Sequence, residues 1–345
     1  MLSQIELQLS KLNDFSKKRE TGFTIGSTNS FSASEDFYFT PFRTGAFLSY
    51  TGVVVKDVST AVEIARKIDG KVNYIFVDAE KKIPQINYGL DDIGNIEKPI
   101  FNLIKKSTLF TYKGNDVTVR GVDALLSVLV PNLTGQIISI VGVSNIGIKV
   151  GLSLIERGNQ VNLISGNLEW SNKISEFINS VKLPGSKGKC LAMKMETNAL
   201  KNSTILVATS NKKNFIRLEN VLAMNEVESF GQPILVDVGK GCFHEDILLM
   251  SNLKIHRLDV GIQLSSELEN LVNLYSNQNL KSEVTLTNGT RLVRSGFVGR
   301  SGDLIVDNPA DPKRVFGLCA GNGNLVPINI QDDEYKFLRN KIRAE

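Results

Sequence analysis

The residues best suited to chemistry stand around one glycine turn. Gln136-Ile-Ile-Ser-Ile-Val-Gly142-Val-Ser144-Asn145-Ile146-Gly147-Ile-Lys-Val-Gly151 is an apolar run that enters a helical pattern through small residues. A turn of this kind receives a diphosphate: Gly142 permits the tight bend, the small Ser144 lets a ligand approach the backbone, and Gly147 lets the helix lie close on its strand. The helix start adds N–H groups without intrahelical acceptors and the positive end of the helix dipole, next to Asn145 and Ile146. Ser144 replaces the usual second glycine, so the flanking strand and helix carry much of the reading, and a purely structural turn is its competitor.

The strand expected next ends at Ser165-Gly166-Asn167. NAD enzymes place an acid at this tip against the ribose hydroxyls, and none stands here, so NADP is mildly favoured over NAD. Ser165, Asn167 and Lys173 are then the groups for a 2′-phosphate, while Glu169 keeps NAD open. Thr209, Ser210, Val238 and Gly239 close two later strands at the same edge and are expected to wall a nicotinamide pocket, with a plain polar strand exit as the alternative.

Hydride transfer to a carbonyl or imine also needs a proton donor within hydrogen-bond reach. By position the candidates are Lys113, Asp116, Asp123 and Lys240, with Thr118 and Arg120 as substrate contacts, Arg120 through a bidentate grip on an anion. Each has a bland reading: Lys113-Gly-Asn-Asp116 makes a good solvent-exposed turn, and Asp123, Arg120 and Lys240 are equally at home on a surface. His244 and His256 are the only histidines and lack partners at ligand spacing, so no metal is expected. Cys190, Cys242 and Cys319 stand far apart, which suggests neither disulfides nor a zinc site and fits a reducing cytoplasm.

The stretches Thr118-Val-Arg-Gly121-Val-Asp-Ala-Leu125-Leu126, Leu133-Thr-Gly135 and Ile140-Val-Gly142-Val-Ser144-Asn145-Ile146 together resemble the methylenetetrahydrofolate dehydrogenase/cyclohydrolase family. That family shows T-P-x-G-x-x-x-L-L, then L-x-G-K, then V-G-x-S-x-I-V-G. More distantly the chain resembles shikimate dehydrogenases, which share a two-domain architecture. The likeness spans about Thr118 to Gly239. It implies a dinucleotide-binding domain behind a separate substrate domain. Val119 stands where the folate enzymes have proline, the glycine turn is one residue shorter, and the first domain lacks a Y-x-x-x-K pair, so the folate substrate is not implied.

The elements that must position these residues follow from periodicity. Leu2, Ile5, Leu9 and Leu12 predict a helix, and Thr21–Glu35 a polar loop. Val53–Val55, a helix from Ser59 to Gly70 with Ala61, Ile64, Ala65 and Ile68 inward, and Val72–Val77 predict a strand–helix–strand unit. A short helix over Pro99–Ile104, a strand over Ser107–Tyr112, the turn Lys113–Asp116 and a connecting helix Gly121–Leu129 lead to a break at Pro131–Gly135.

Beyond the break, continuously apolar strands at Ile137–Val141, Val161–Ser165, Thr204–Ala208, Ile234–Val238 and Lys254–Leu258 alternate with helices. That rhythm predicts a parallel sheet covered on both faces. A helix over Ser265–Tyr275 and short extended segments over Val284–Val306 follow.

The expected organisation is α/β: a substrate domain over 1–130, a Rossmann-type doubly wound sheet over 131–280, and a β-rich segment over 281–345 ending in a helix. The balance of 40 basic and 36 acidic side chains is too even to imply a nucleic-acid partner, and no apolar run is long enough to span a membrane. The sequence therefore predicts a soluble cytoplasmic NAD(P)-dependent oxidoreductase acting on a small polar metabolite, with a homodimer as the symmetry prior. The alternative is a ligand-binding or assembly protein that kept the nucleotide fold without hydride transfer.

Overall fold

The structure, a computed structural model, describes residues 2–28, 37–82, 95–196, 198–228, 231–239, 241–278, 281–287, 289–326 and 340. The chain forms two compact units, Met1–Glu269 and Asn270–Glu345. The class is α/β, with parallel sheets and helices between the strands.

The first half opens with α1 (Leu2–Ser16), β1 (Glu20–Ser27), β2 (Phe37–Thr44), β3 (Leu48–Val55), α2 (Val58–Ile68), β4 (Tyr74–Asp78), α3 (Glu97–Phe101), β5 (Thr108–Tyr112) and α4 (Gly114–Leu129). Its five strands run in the order β2-β3-β1-β4-β5, all parallel except β2. Ile5, Leu9 and Leu12 of α1 and Ala61, Ile64, Ala65 and Ile68 of α2 are buried on this sheet, as their helical spacing requires. Asp57 caps α2, its carboxylate accepting from the Thr60 N–H at 2.8 Å.

Two readings of this half are corrected. Thr21–Ser27, expected as loop, is β1, the central strand. Neighbouring strands press on it from both sides: a Cβ on its Gly22 would stand 2.9 Å from the Phe76 ring of β4 and 3.3 Å from Leu48 and Tyr50 of β3, and one on Gly52 of β3 would stand 1.8 Å from Thr24 Oγ1. The expected turn Lys113–Asp116 is instead the N-cap and first turn of α4, which extends back to Gly114. The Glu80 carboxylate accepts the Asn115 N–H at 2.8 Å and so supplies an anion at that helix start.

The second half contains β6 (Ile137–Val141), α5 (Asn145–Glu156), β7 (Gln160–Ser165), α6 (Leu168–Val181), β8 (Lys189–Lys194), β9 (Ile205–Ala208), α7 (Leu218–Leu222), β10 (Ile234–Asp237), α8 (Glu245–Leu248), β11 (Ile255–Arg257) and α9 (Val260–Gln278). Its six strands are all parallel and ordered β8-β7-β6-β9-β10-β11. Numbered within the sheet this is 3-2-1-4-5-6, the doubly wound arrangement whose order reverses between β6 and β9. The core is built from the apolar residues of β6, β7, β9 and β10, with Ile138, Ile140, Leu163, Val207 and Val236 fully buried and Ser139 of β6 satisfied by Ser203 at 2.7 Å. Sequence periodicity missed β8, an edge strand with a lysine at each end, a common protection against edge pairing.

The last five strands, β12 (Glu283–Thr285), β13 (Arg291–Arg294), β14 (Leu304–Val306), β15 (Val315–Cys319) and β16 (Leu325–Val326), form a third sheet in chain order. Its small core is Leu292, Leu304 and Val306. The expected terminal helix lies outside the described residues apart from Asn340, which is helical. Among the described residues no helix is long and apolar enough to cross a membrane.

Candidate functional site at the carboxyl edges of the two parallel sheets

Ligands of open α/β sheets bind outside the carboxyl ends of the strands, at the reversal of strand order. Here that point lies between β6 and β9, and the glycine turn occupies it. Gly142 follows β6 with φ +111°, a left-handed backbone that glycine alone adopts at no steric cost. A Cβ there would meet Ser210 N at 2.6 Å, and one on Gly147 would meet Gly142 O at 2.2 Å. Thr209, buried at the end of β9, locks the bend by donating its hydroxyl to Gly142 O at 2.7 Å.

Ser144 is the N-cap residue of α5, extended at φ −109° and ψ −178°, and its side chain makes no capping bond. The first-turn N–H groups of Asn145, Ile146 and Gly147 have no intrahelical acceptors. They leave a row of donors at the positive end of the helix dipole, beside exposed Ser144 and Asn145. Gly239, after β10, completes the wall: a Cβ there would stand 1.8 Å from Ser210 O. The three glycines therefore let the strand ends and the start of α5 pack backbone against backbone, which fixes the bend and leaves the α5 N–H groups at its lip.

Val238 is partly buried beside Gly239. Lys240 lies outside the described residues. Asp237 builds the loop that follows, accepting from the Gly241 N–H at 2.6 Å. The Cys242 thiol donates to Ser210 O at 3.0 Å, and burial pushes its pKa up to about 12, so it is a packing group rather than a nucleophile.

On the other flank, the Ser165 hydroxyl donates to Asn167 O at 2.8 Å, and the Asn167 side chain caps α6 by accepting from the Trp170 N–H at 3.0 Å. Lys173 is paired with Glu169 at 2.7 Å on the exposed face of α6. Trp170, the single tryptophan of the chain, donates its indole N–H to Val143 O at 3.1 Å, directly on the glycine turn.

The first sheet brings a second group of polar residues to its own carboxyl edge. Asp78 ends β4 and is almost fully buried; it accepts from the Ser27 hydroxyl at 2.9 Å and the Glu80 N–H at 3.1 Å. Lys82 Nζ lies 2.8 Å from Asp78 and 2.7 Å from Glu80, and its side chain is only 18% exposed. The ammonium sits under the start of α4, 3.1 Å from the position of a Gly114 Cβ. Asn115 Nδ2 on α4 then reaches Asn145 Oδ1 of the glycine turn at 3.4 Å, so the two carboxyl edges meet here.

The predicted catalytic residues divide accordingly. Lys113 and Asp116 lie at this junction, paired at 2.7 Å, and Asp116 also pairs with Lys149 of α5. Burial pulls the Asp116 carboxyl upward, but the hydrogen bonds and charges of the two lysines outweigh it and hold it below the usual carboxylate range.

Asp123 is not brought to the turn. It pairs with Arg157 at 2.8 Å at the far end of α5, tying α4 to α5. Thr118 donates to Gly114 O at 2.9 Å within its own helix, and Arg120 pairs with Glu267 of α9 at 2.5 Å. In this structure Thr118 is thus bonded within α4 and Arg120 to α9.

Lys82, Asp78 and Trp170 escaped sequence reasoning as site residues. The available signal was a buried apolar run, Tyr74–Val77, passing directly into Asp78-Ala-Glu80-Lys-Lys82. A groove of about 510 Å³ lined by Thr21, Lys71, Asn73, Tyr74, Lys106 and Thr108 lies at the opposite, amino edge of the first sheet, where such folds do not carry their ligands.

No family model matches the chain, that of the folate dehydrogenases included, and no curated protein matches it. Among solved structures it is similar to glutamyl-tRNA reductase from Methanopyrus kandleri at 13% identity and TM-score 0.36, over 46% of this chain and 39% of that one. It is similar to L-tryptophan dehydrogenase from Nostoc punctiforme at 10% identity and TM-score 0.41, over 75% of each chain. It is also similar to the catalytic subunit of aspartate transcarbamoylase from M. jannaschii at 9% identity and TM-score 0.42, over 80% of this chain and 95% of that one. Likenesses this remote, to a reductase, a dehydrogenase and a transcarbamoylase together, decide nothing about chemistry; the functional reading stands on the site.

Proposed function

We propose that the protein is an NAD(P)-dependent oxidoreductase that transfers a hydride to or from a small polar metabolite. The observation that carries this reading is the glycine turn and uncapped start of α5 placed at the β6/β9 reversal of a six-stranded 3-2-1-4-5-6 sheet. Gly142, Gly147 and Gly239 permit the tight backbone packing that sets the bend, and the first turn of α5 offers a diphosphate N–H donors. When bound, a nicotinamide cofactor supplies the hydride. The β7 tip, Ser165-Gly166-Asn167, lacks the ribose-binding acid, which favours NADP over NAD.

Lys82 is the proton-handling group in this reading. Asp78 and Glu80 hold its Nζ at the carboxyl edge of the first sheet, beside the Asn115–Asn145 contact that joins that edge to the turn. Lys113, Asp116 and Lys149 form the charged rim of the same junction, and the two lysines suit a substrate with an anionic group.

The test is direct titration of the protein with NADPH and NADH, followed by calorimetry and by the emission of Trp170. Saturable binding, tighter for NADPH, is expected. Absence of heat and of any emission change with both dinucleotides would remove the reading.

A further inference from the structure

The tip of β7 poses a problem for any dinucleotide seated on this turn. The adenosine half should lie there, yet no acid stands at the tip and the Ser165 hydroxyl and Asn167 Oδ1 are already bonded within it. The Ser165 hydroxyl is shared among Asn167 O, the Asn167 N–H and Ser171, while Asn167 Oδ1 is taken by the Trp170 N–H. Glu169, the one acid nearby, is 79% exposed at its side chain and pairs outward with Lys173. The carboxylate clamp that ordinarily holds the adenosine ribose is therefore missing at the tip, which leaves the hold on that half to another kind of contact.

Trp170 offers one. Its indole N–H is fixed on Val143 O at 3.1 Å, one residue past Gly142, so the ring stands beside the diphosphate cradle in a set orientation. Asn167 fixes its backbone from the other side at 3.0 Å. The residue nevertheless remains 46% exposed. A large aromatic surface, anchored by its one polar atom and open to solvent at the edge of a nucleotide cradle, is suited to stacking a flat heterocycle.

We propose that Trp170 is the platform for the adenine ring, so that base stacking rather than a ribose clamp secures the adenosine half of the cofactor. This rests on the dinucleotide reading above and names the residue that would select a purine nucleotide there.

The probes are ADP, for the adenosine half, and nicotinamide mononucleotide, for the other. Calorimetry is run on the wild-type protein, Trp170→Phe and Trp170→Ala, with circular dichroism confirming the fold of each. Phenylalanine keeps a stacking face and loses the bond to Val143; alanine loses both. Trp170→Ala is expected to weaken ADP by ~10-fold or more and Trp170→Phe by no more than about threefold, with nicotinamide mononucleotide unchanged throughout. In the wild-type protein ADP should quench the single tryptophan with the calorimetric midpoint, a readout that does not depend on any variant folding.

Equal ADP affinity in Trp170→Ala, or ADP binding without quenching, overturns the proposal. Equal losses in both variants would assign Trp170 to bracing the turn, and tighter ADP binding by Trp170→Ala would mean that the indole fills the site; either result also overturns it. If NADH or NADPH still binds in these cases, the dinucleotide reading survives alone. If neither dinucleotide nor ADP binds the wild-type protein, both fall together.

Discussion

Gly147 and Gly151 lie one helical turn apart on α5, yet the structure gives them opposite responses to the same substitution. A Cβ on Gly147 would stand 2.2 Å from Gly142 O and 2.8 Å from Thr209 Oγ1, so the bend itself must move to admit it. A Cβ on Gly151 would meet Leu163 Cδ2, Ile140 Cδ1 and Ile178 Cδ1 at 3.5–3.6 Å, which is ordinary packing. Alanine is favoured over glycine in a helix by ~0.5–1 kcal/mol, and overpacking against backbone costs ~1–3 kcal/mol. Gly151→Ala should therefore gain up to about 1 kcal/mol, whereas Gly147→Ala should lose about 1–2 kcal/mol net. Urea unfolding followed by far-ultraviolet circular dichroism measures both.

The second readout is NADPH affinity, which Gly147→Ala should reduce at least ~10-fold by displacing the donor row, while Gly151→Ala leaves it unchanged. If Gly147→Ala proves as stable as Gly151→Ala and binds as well as wild type, the close approach at the bend is not what shapes the cradle.

Four further outcomes follow from the same geometry. Asp57→Ala should cost about 1 kcal/mol at neutral pH by removing the α2 cap. Burial opposes ionisation of Asp57, but hydrogen bonds from Ser59 and Thr60 prevail and lower its pKa, so its contribution is complete above the ordinary carboxylate range and is lost as pH falls through the folded value. The wild-type advantage over Asp57→Ala in urea should thus shrink on acidification toward about pH 3. Gly52→Ala should cost at least about 3 kcal/mol, read as lost soluble yield, because Thr24 leaves 1.8 Å for the new carbon. Lys82→Met should destabilise by ~3–5 kcal/mol in thermal unfolding, since two largely buried carboxylates lose their cation, and Asp78→Asn added to it should recover part of that loss. Asp123→Asn should change stability by less than ~1 kcal/mol and leave NADPH affinity intact, its ion pair with Arg157 being partly exposed and at the far end of α5.

The parts of the molecule legible in the sequence are those specified by neighbours along the chain. β6 matched its expected bounds because a pentapeptide of four β-branched apolar residues and one serine, followed by glycine, has few other uses. The bend after it was readable because a glycine with φ +111° and a helix start lie within six residues of each other. β1 failed for the opposite reason: Thr21-Gly-Phe-Thr-Ile-Gly-Ser has the composition of a turn, and only β3 and β4 on either side make small residues the ones that fit.

The second half of the site is hidden in the same way. Ser27 meets Asp78 across 51 positions, and Asn115 meets Asn145 across 30. Pairings at such separations leave no period to read. The group facing a substrate is chosen by which strand ends the sheet order sets side by side. Local signals therefore marked the glycine turn, while Lys82, held between a strand end of the first sheet and the helix start of α4, required the fold before it could be placed near it.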